Sequence, residues 1–216
     1  MPGNIKGLVG SCLVIPCTFD YYSNPPRRPD RVVWYQYANH KYPIVYDDWY
    51  PSDVIGIFYG KTRVFNFNKK CSLQIYPVTW HHHRQRIYPW VDPENIGRYT
   101  HRFFDKTVTI EVVSSFSPLT ISHTSDEFLE GQASKVICTA SYTCPKHIPT
   151  LTWNYGTMPA STDTSKRGNT EWRSVSTLTF TASAKDHGRS LTCSAQFTGG
   201  QRQEKSITLQ VKNEYK

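Results

Sequence analysis

Methionine is nearly absent from this chain, with 2 in 216 residues. No apolar run is long enough to span a bilayer or to act as a secretion signal, from Met1-Pro2 to the closing Lys212 to Lys216. If the chain is extracellular, a signal peptide and an anchor are expected to have been trimmed from it. No Asn-x-Ser/Thr acceptor occurs, so nothing in the sequence marks a glycosylated surface. Cys-x-x-Cys pairs are missing, which removes the knuckle spacing that tetrahedral zinc sites favour; neither a metal nor a cofactor is expected. There is no Gly-x-Ser-x-Gly elbow, phosphate-cradling Gly-rich loop or His-Glu-x-x-His helix, so an enzyme is not expected. The net charge is +8, but the basic residues are scattered and match no nucleic-acid module. No amphipathic stretch is long enough for a substantial helix.

What is present is aromatic and β-prone. The chain holds 14 Tyr, 6 Trp and 10 Phe, with recurrent Val-x-Val and Thr-x-Thr alternation, a mixture suited to pleated, half-buried sheets. The fold class is therefore all-β. Six cysteines, an even number at wide spacings, read as a disulfide framework and hence an oxidising compartment.

The stretch from Ser11 to Phe19 places Cys12 and Cys17 five positions apart in one short strand. An odd separation puts two side chains on opposite faces, so Cys17 and Cys12 need separate partners, one in the core and one outside it. Cys71 shares its face with Leu73 and Ile75, which have core spacing, and is the natural partner of the inward sulfur. Strands are also expected over Arg31 to Tyr37, Tyr42 to Tyr46, Lys61 to Phe65, Ile87 to Asp92 and Arg102 to Val113.

In the second half, Cys138, Trp153, Leu178-x-Phe180, Asp186-x-Gly188 and Cys193 follow in order. This is a near-complete immunoglobulin signature, and it implies a Cys138–Cys193 bond between two sheets. Trp34, 17 residues after Cys17, has the same relation in the first half and is expected in a core. Two tandem immunoglobulin-like β-sandwiches follow: a V-set domain over 1–115 and a constant-type domain over 116–216. Tyr88-x-Trp90 stands where a variable-type domain carries Tyr-x-Cys, so Trp90 is expected in the missing cysteine's core position. In this layout Cys17–Cys71 is an intra-sheet bond, and the remaining Cys12 and Cys144 join the two domains.

The two-cysteine strand, the Asn68 to Ile75 strand with Cys71, and Ser141-Tyr142-Thr143-Cys144-Pro145 together resemble the Siglecs, the sialic-acid-binding immunoglobulin-type lectins. The layout is most similar to the B-cell Siglec and myelin-associated glycoprotein type and covers about Gly10 to Val211. The resemblance implies the membrane-distal part of a single-pass cell-surface adhesion or immune receptor, with sialylated-glycan recognition in the first domain. In that family an arginine on the sixth strand holds the sialic acid carboxylate, a bidentate match for a guanidinium. This chain departs from the pattern, because Pro89 or Val91 falls at that place according to alignment.

The nearby basic and aromatic candidates are Arg84, Arg86, Arg98, Tyr99, Arg102 and Trp49, with Arg102 foremost. Each arginine taken singly is most often a solvated surface residue. The alternative expectation is an immunoglobulin-superfamily receptor without lectin activity that binds a protein through the same face. His81 and His83, two apart, would share one face of a strand and could hold a metal; a His-rich turn is the more frequent meaning of such a run.

Overall fold

The computed structural model describes residues 1–19, 31–65, 70–91 and 106–213. It divides into two compact units, Met1–Ser114 and Ser115–Lys216.

The first unit contains β1 (Asn4–Leu8), β2 (Leu13–Ile15), β3 (Val32–Gln36), β4 (Ile44–Tyr46), β5 (Thr62–Phe65), β6 (Ser72–Ile75), β7 (Arg86–Val91) and β8 (Val108–Val113). They form a sheet in the order β1-β8-β7-β3-β4 and a second in the order β2-β6-β5. β1 runs parallel to β8, and the other pairs are antiparallel. Alternating side chains from the two inner faces make the core: Leu13, Ile15, Leu73 and Ile75 from one, Trp34, Ile87, Val108 and Ile110 from the other.

The strand expected to carry both cysteines is only three residues long, and the cysteines flank it. The parity argument holds: Cys17 belongs to the core with Leu13 and Ile15, and Cys12 does not. Cys17 is bonded to Cys71. The Cys71 N–H donates to the Cys17 carbonyl (2.9 Å), and β2 pairs with β6, so this disulfide staples neighbours in one sheet. Trp34 is fully buried, and its indole N–H donates to the Cys71 carbonyl at 3.0 Å.

The second unit contains β9 (Thr120–His123), β10 (Phe128–Leu129), β11 (Ala133–Tyr142), β12 (Thr150–Trp153), β13 (Ala160–Arg167), β14 (Glu171–Thr181), β15 (Ser190–Gln196), β16 (Arg202–Thr208) and β17 (Val211–Lys212). Its sheets are β13-β14-β11-β9 and β12-β15-β16, with a small β10-β17 pair. That is the four-plus-three arrangement of constant-type immunoglobulin domains. Cys138 on β11 and Cys193 on β15 join the two sheets. Trp153 stands opposite Cys193 and donates to Ser176 Oγ at 3.0 Å. Both units are immunoglobulin-like sandwiches, as expected.

An aromatic sheet face as the candidate functional site

The site grows out of a parity that sequence reasoning mis-set. Ile87 and Val91 lie in the core, so Pro89 between them also points inward, opposite Trp34. Trp90 therefore does not fill the missing cysteine's core position. It lies on the outer face of the sheet, opposite Val33, next to the Tyr35–Tyr88 pair. Both parities of β7 are apolar, so alternation gives no signal, and a shift of one residue exchanges the faces.

The outer face is a cluster of rings. Tyr35 meets Tyr88 at 5.8 Å, Trp90 at 5.9 Å and Tyr42 at 6.1 Å between centroids. Tyr42 reaches Trp90 at 6.3 Å, and Tyr37 reaches Tyr88 at 6.4 Å. These spacings fall within the attractive range for edge-to-face and tilted aromatic pairs. Tyr88 and Trp90 form a buried floor, while Tyr37 (43% exposed) and Tyr42 (64% exposed) stand above it. The buried Trp90 indole N–H has no acceptor among the described residues.

Arg86, the first residue of β7, flanks this cluster. Its guanidinium carbon lies 4.2 Å from the Tyr37 ring centroid, and Nε donates to Thr107 Oγ1 at 2.6 Å. The stack and the Nε bond hold the fork in place, and among the described residues no carboxylate pairs with it. A carboxylate, sulfate or phosphate group of a partner is what such a fork receives.

Of the other sequence candidates, Trp49 lies elsewhere. Its ring covers the guanidinium of Arg31 at 4.9 Å, with Tyr50 at 5.2 Å. Arg31 precedes Val32, which pairs with Val91, whereas Arg86 lies beyond the Gln36–Ile87 pair at the other end of the same strands. Four residue steps of strand separate the two ends, about 13 Å, so Trp49 and Arg86 do not form one site. Arg84 is not in the strand: it occupies a turn with φ of 62°. Arg98, Tyr99 and Arg102 lie outside the described residues.

The histidine run also differs from the strand expected. Trp80–His82 is a single 3-10 turn, so His81 and His83 do not share a strand face. His83 Nδ1 accepts the Val112 N–H at 3.1 Å, and no three-ligand cluster among the described residues includes any of these histidines. The metal reading therefore has no geometry behind it.

A sequence profile for the CD80-like C2-set immunoglobulin domain matches residues 119–204, most of the second unit. Among solved structures, the chain is similar to the mouse nectin-like molecule 4 ectodomain (Ig1–Ig3), at 14% identity and a TM-score of 0.41, covering 98% of this chain and 67% of that one. It is also similar to bovine butyrophilin, at 16% identity and a TM-score of 0.38, covering 97% and 96% of the two chains. The first two domains of Rst give 16% identity, a TM-score of 0.38, and coverage of 98% and 96%. The profile thus assigns the second unit to the C2-set immunoglobulin domains, and both units have the immunoglobulin-like fold.

Proposed function

We propose that the chain is the ectodomain portion of an immunoglobulin-superfamily cell-surface receptor, and that the outer aromatic face of its first domain binds a protein partner. The observation that carries this reading is the pair of exposed tyrosines, Tyr37 and Tyr42, standing on the buried Tyr88–Trp90 floor beside Arg86. Tyrosine, tryptophan and arginine dominate interface energetics because they combine large area, few torsions and a polar tip. A buried floor also lowers the ordering cost of the exposed rings. The second domain serves as the constant-type unit. We further propose that Cys12 and Cys144 are bonded to each other, since the other four cysteines are paired within their own units. Extracellular presentation follows from such a framework.

A second reading, recognition of a sialylated glycan by a Siglec-like lectin, is favoured by Arg86. Its fork has no carboxylate partner among the described residues and suits a sialic acid carboxylate.

Binding of the tagged full chain to a panel of intact cells separates the two. Signal abolished by surface proteolysis and retained after sialidase supports the protein reading; signal lost with sialidase supports the glycan reading. In the protein case Tyr42→Ala is expected to weaken binding by roughly 30-fold, the loss of a hot spot of about 2 kcal/mol. In the glycan case Arg86→Ala abolishes binding. If Arg102→Ala abolishes it while Arg86→Ala does not, the carboxylate is received elsewhere. Binding untouched by Tyr37→Ala, Tyr42→Ala and Arg86→Ala means that the face is not the site.

A further inference from the structure

The two units turn the same corner by the same hydrogen bonds, with one exchange of chemistry. In the second, Ser183 N–H and Oγ donate to Asp186 Oδ2 (2.9 and 2.7 Å), Val211 N–H donates to His187 Nδ1 (3.1 Å), and Gly188 N–H donates to the Leu209 carbonyl (2.9 Å). In the first, Thr79 N–H donates to His82 Nδ1 (3.0 Å), Val112 N–H to His83 Nδ1 (3.1 Å), and Arg84 N–H to the Ile110 carbonyl (2.7 Å). His82 thus stands where the second unit has an aspartate.

A carboxylate remains an acceptor down to strongly acidic pH, whereas an imidazole nitrogen stops accepting once it is protonated. His82 is committed at both nitrogens. Nδ1 takes the Thr79 N–H, and Nε2 lies 2.7 Å from the Ile57 carbonyl, to which it donates. The ring is fully buried and stacked on Phe58 at 4.9 Å. Among the described residues, the charged or titratable groups that face it are Lys61, whose ammonium shares the Ile57 carbonyl at 3.2 Å, and His81, with no carboxylate. A proton on Nδ1 would set N–H against N–H in a buried site where no described residue offers a counter-charge.

The geometry points to His82 as an acid-sensitive latch: the first domain loosens at its β6–β7 corner as pH falls from neutral to endosomal values, while the second, where buried Asp186 holds that place and the shared imidazole acceptor His187 is exposed, loosens less. The depressed pKa of His82 agrees in direction, burial being its main cause, with Lys61 and His81 adding to it against the Ile57 hydrogen bond. A folded-state pKa below the unfolded one means that the unfolded state binds more protons. Stability is then full above about pH 6.5, the free histidine value, and declines as pH falls towards the depressed value. The corner leads directly into β7 and Arg86, and Gln85 N–H bonds the His82 carbonyl at 3.2 Å, so loosening starts beside the aromatic face. The latch itself does not depend on what that face binds.

The test is amide hydrogen exchange of the full chain, as protection factors between pH 7.5 and 5. Peptides over Trp80–Val91 and β8 are expected to lose protection, approaching tenfold per pH unit for one linked proton, while those over Ala184–Gln196 lose markedly less. His82→Asn offers Thr79 an acceptor that does not titrate, and should flatten the first-domain dependence. If the loss persists in that variant, other histidines are responsible and the latch is overturned. Should His82→Asn fail to fold, histidine-selective nuclear magnetic resonance of the wild type decides. An Nε2–H tautomer titrating below the free value supports the latch, and titration at the free value overturns it.

Discussion

Arg31 and Asp47 make a buried ion pair whose removal should be among the costliest changes in the first domain. Their side chains are 6% and 0% exposed, Nε donates to Oδ1 at 3.0 Å, and Nη2 donates to Oδ2. Asp47 Oδ1 also accepts the Trp49 N–H at 3.0 Å, and the rings of Trp49 and Tyr50 cover the guanidinium. In Arg31→Met the carboxylate stays buried with one hydrogen-bond donor and no counter-charge, which costs about 3–5 kcal/mol. Asp47→Asn removes the carboxylate that the buried guanidinium pairs with, for about 2–4 kcal/mol. The double variant buries no charge and keeps the Trp49 cap, so it should regain at least ~2 kcal/mol over the sum of the singles. Hydrogen exchange of β3 and β4 in the full chain reads these free energies, with second-domain peptides as the internal control. Single costs under about 1 kcal/mol that add to within ~0.5 kcal/mol would mean that the pair behaves as a solvated surface bridge. The reasoning would then fail.

Two further perturbations follow from the same structure. Cys17 and Cys71 are 54 residues apart, a loop whose closure entropy in the unfolded chain amounts to about 4 kcal/mol; Cys17→Ala with Cys71→Ala should cost the first domain an amount of that order in urea unfolding, and a cost below about 1 kcal/mol contradicts it. Non-reducing peptide mapping of the wild-type chain should yield Cys12–Cys144, and a Cys12–Cys17 or Cys12–Cys71 linkage refutes the assignment. Burial pushes the Asp186 pKa up, but the Ser183 hydrogen bonds, Tyr155 and Arg189 outweigh it and hold the carboxyl below its ordinary value. Its contribution is therefore present above about pH 3.9 and lost as pH falls through the depressed value. Asp186→Asn should lower the melting temperature of the second domain at pH 7 and lower it less at about pH 2; an equal decrease at both refutes the carboxylate's role.

Much of the scaffold could be read from residues whose burial leaves one option. Trp34 and Trp153 sit where cysteine spacing put them, and Leu13, Ile15, Leu73 and Ile75 have the alternation of half-buried strands. The aromatic face could not be read this way. Ile87, Pro89 and Val91 interleave with Tyr88 and Trp90, so neither set is polar, and Tyr-x-Cys resemblance chose the wrong one. β13 was missed for the opposite reason: Ala160–Arg167 is exposed at every position, an edge strand held by its ladder to β14 with no apolar residue beyond Ala160. β1 carries no such signal either, because its strand character comes from parallel pairing with a segment about a hundred residues away.

The corner shows a further limit of residue identity as a guide. Thr79 to Arg84 and Ser183 to Gly188 share only a hydroxyl residue at the start and a histidine at the fifth place. Yet the bonds correspond throughout: a first-residue N–H to the fourth side chain, an N–H of the unit's last strand to the histidine Nδ1, and the sixth N–H to the neighbouring carbonyl. Even the left-handed backbone recurs, φ 62° at Arg84 and 78° at Gly188, although only glycine adopts it without strain. What the fold requires at the fourth place is a buried acceptor, and both carboxylate and imidazole provide one at neutral pH. They part company only when protons are added. The substitution is therefore almost silent in the structure at neutral pH and expressed in its response to acid.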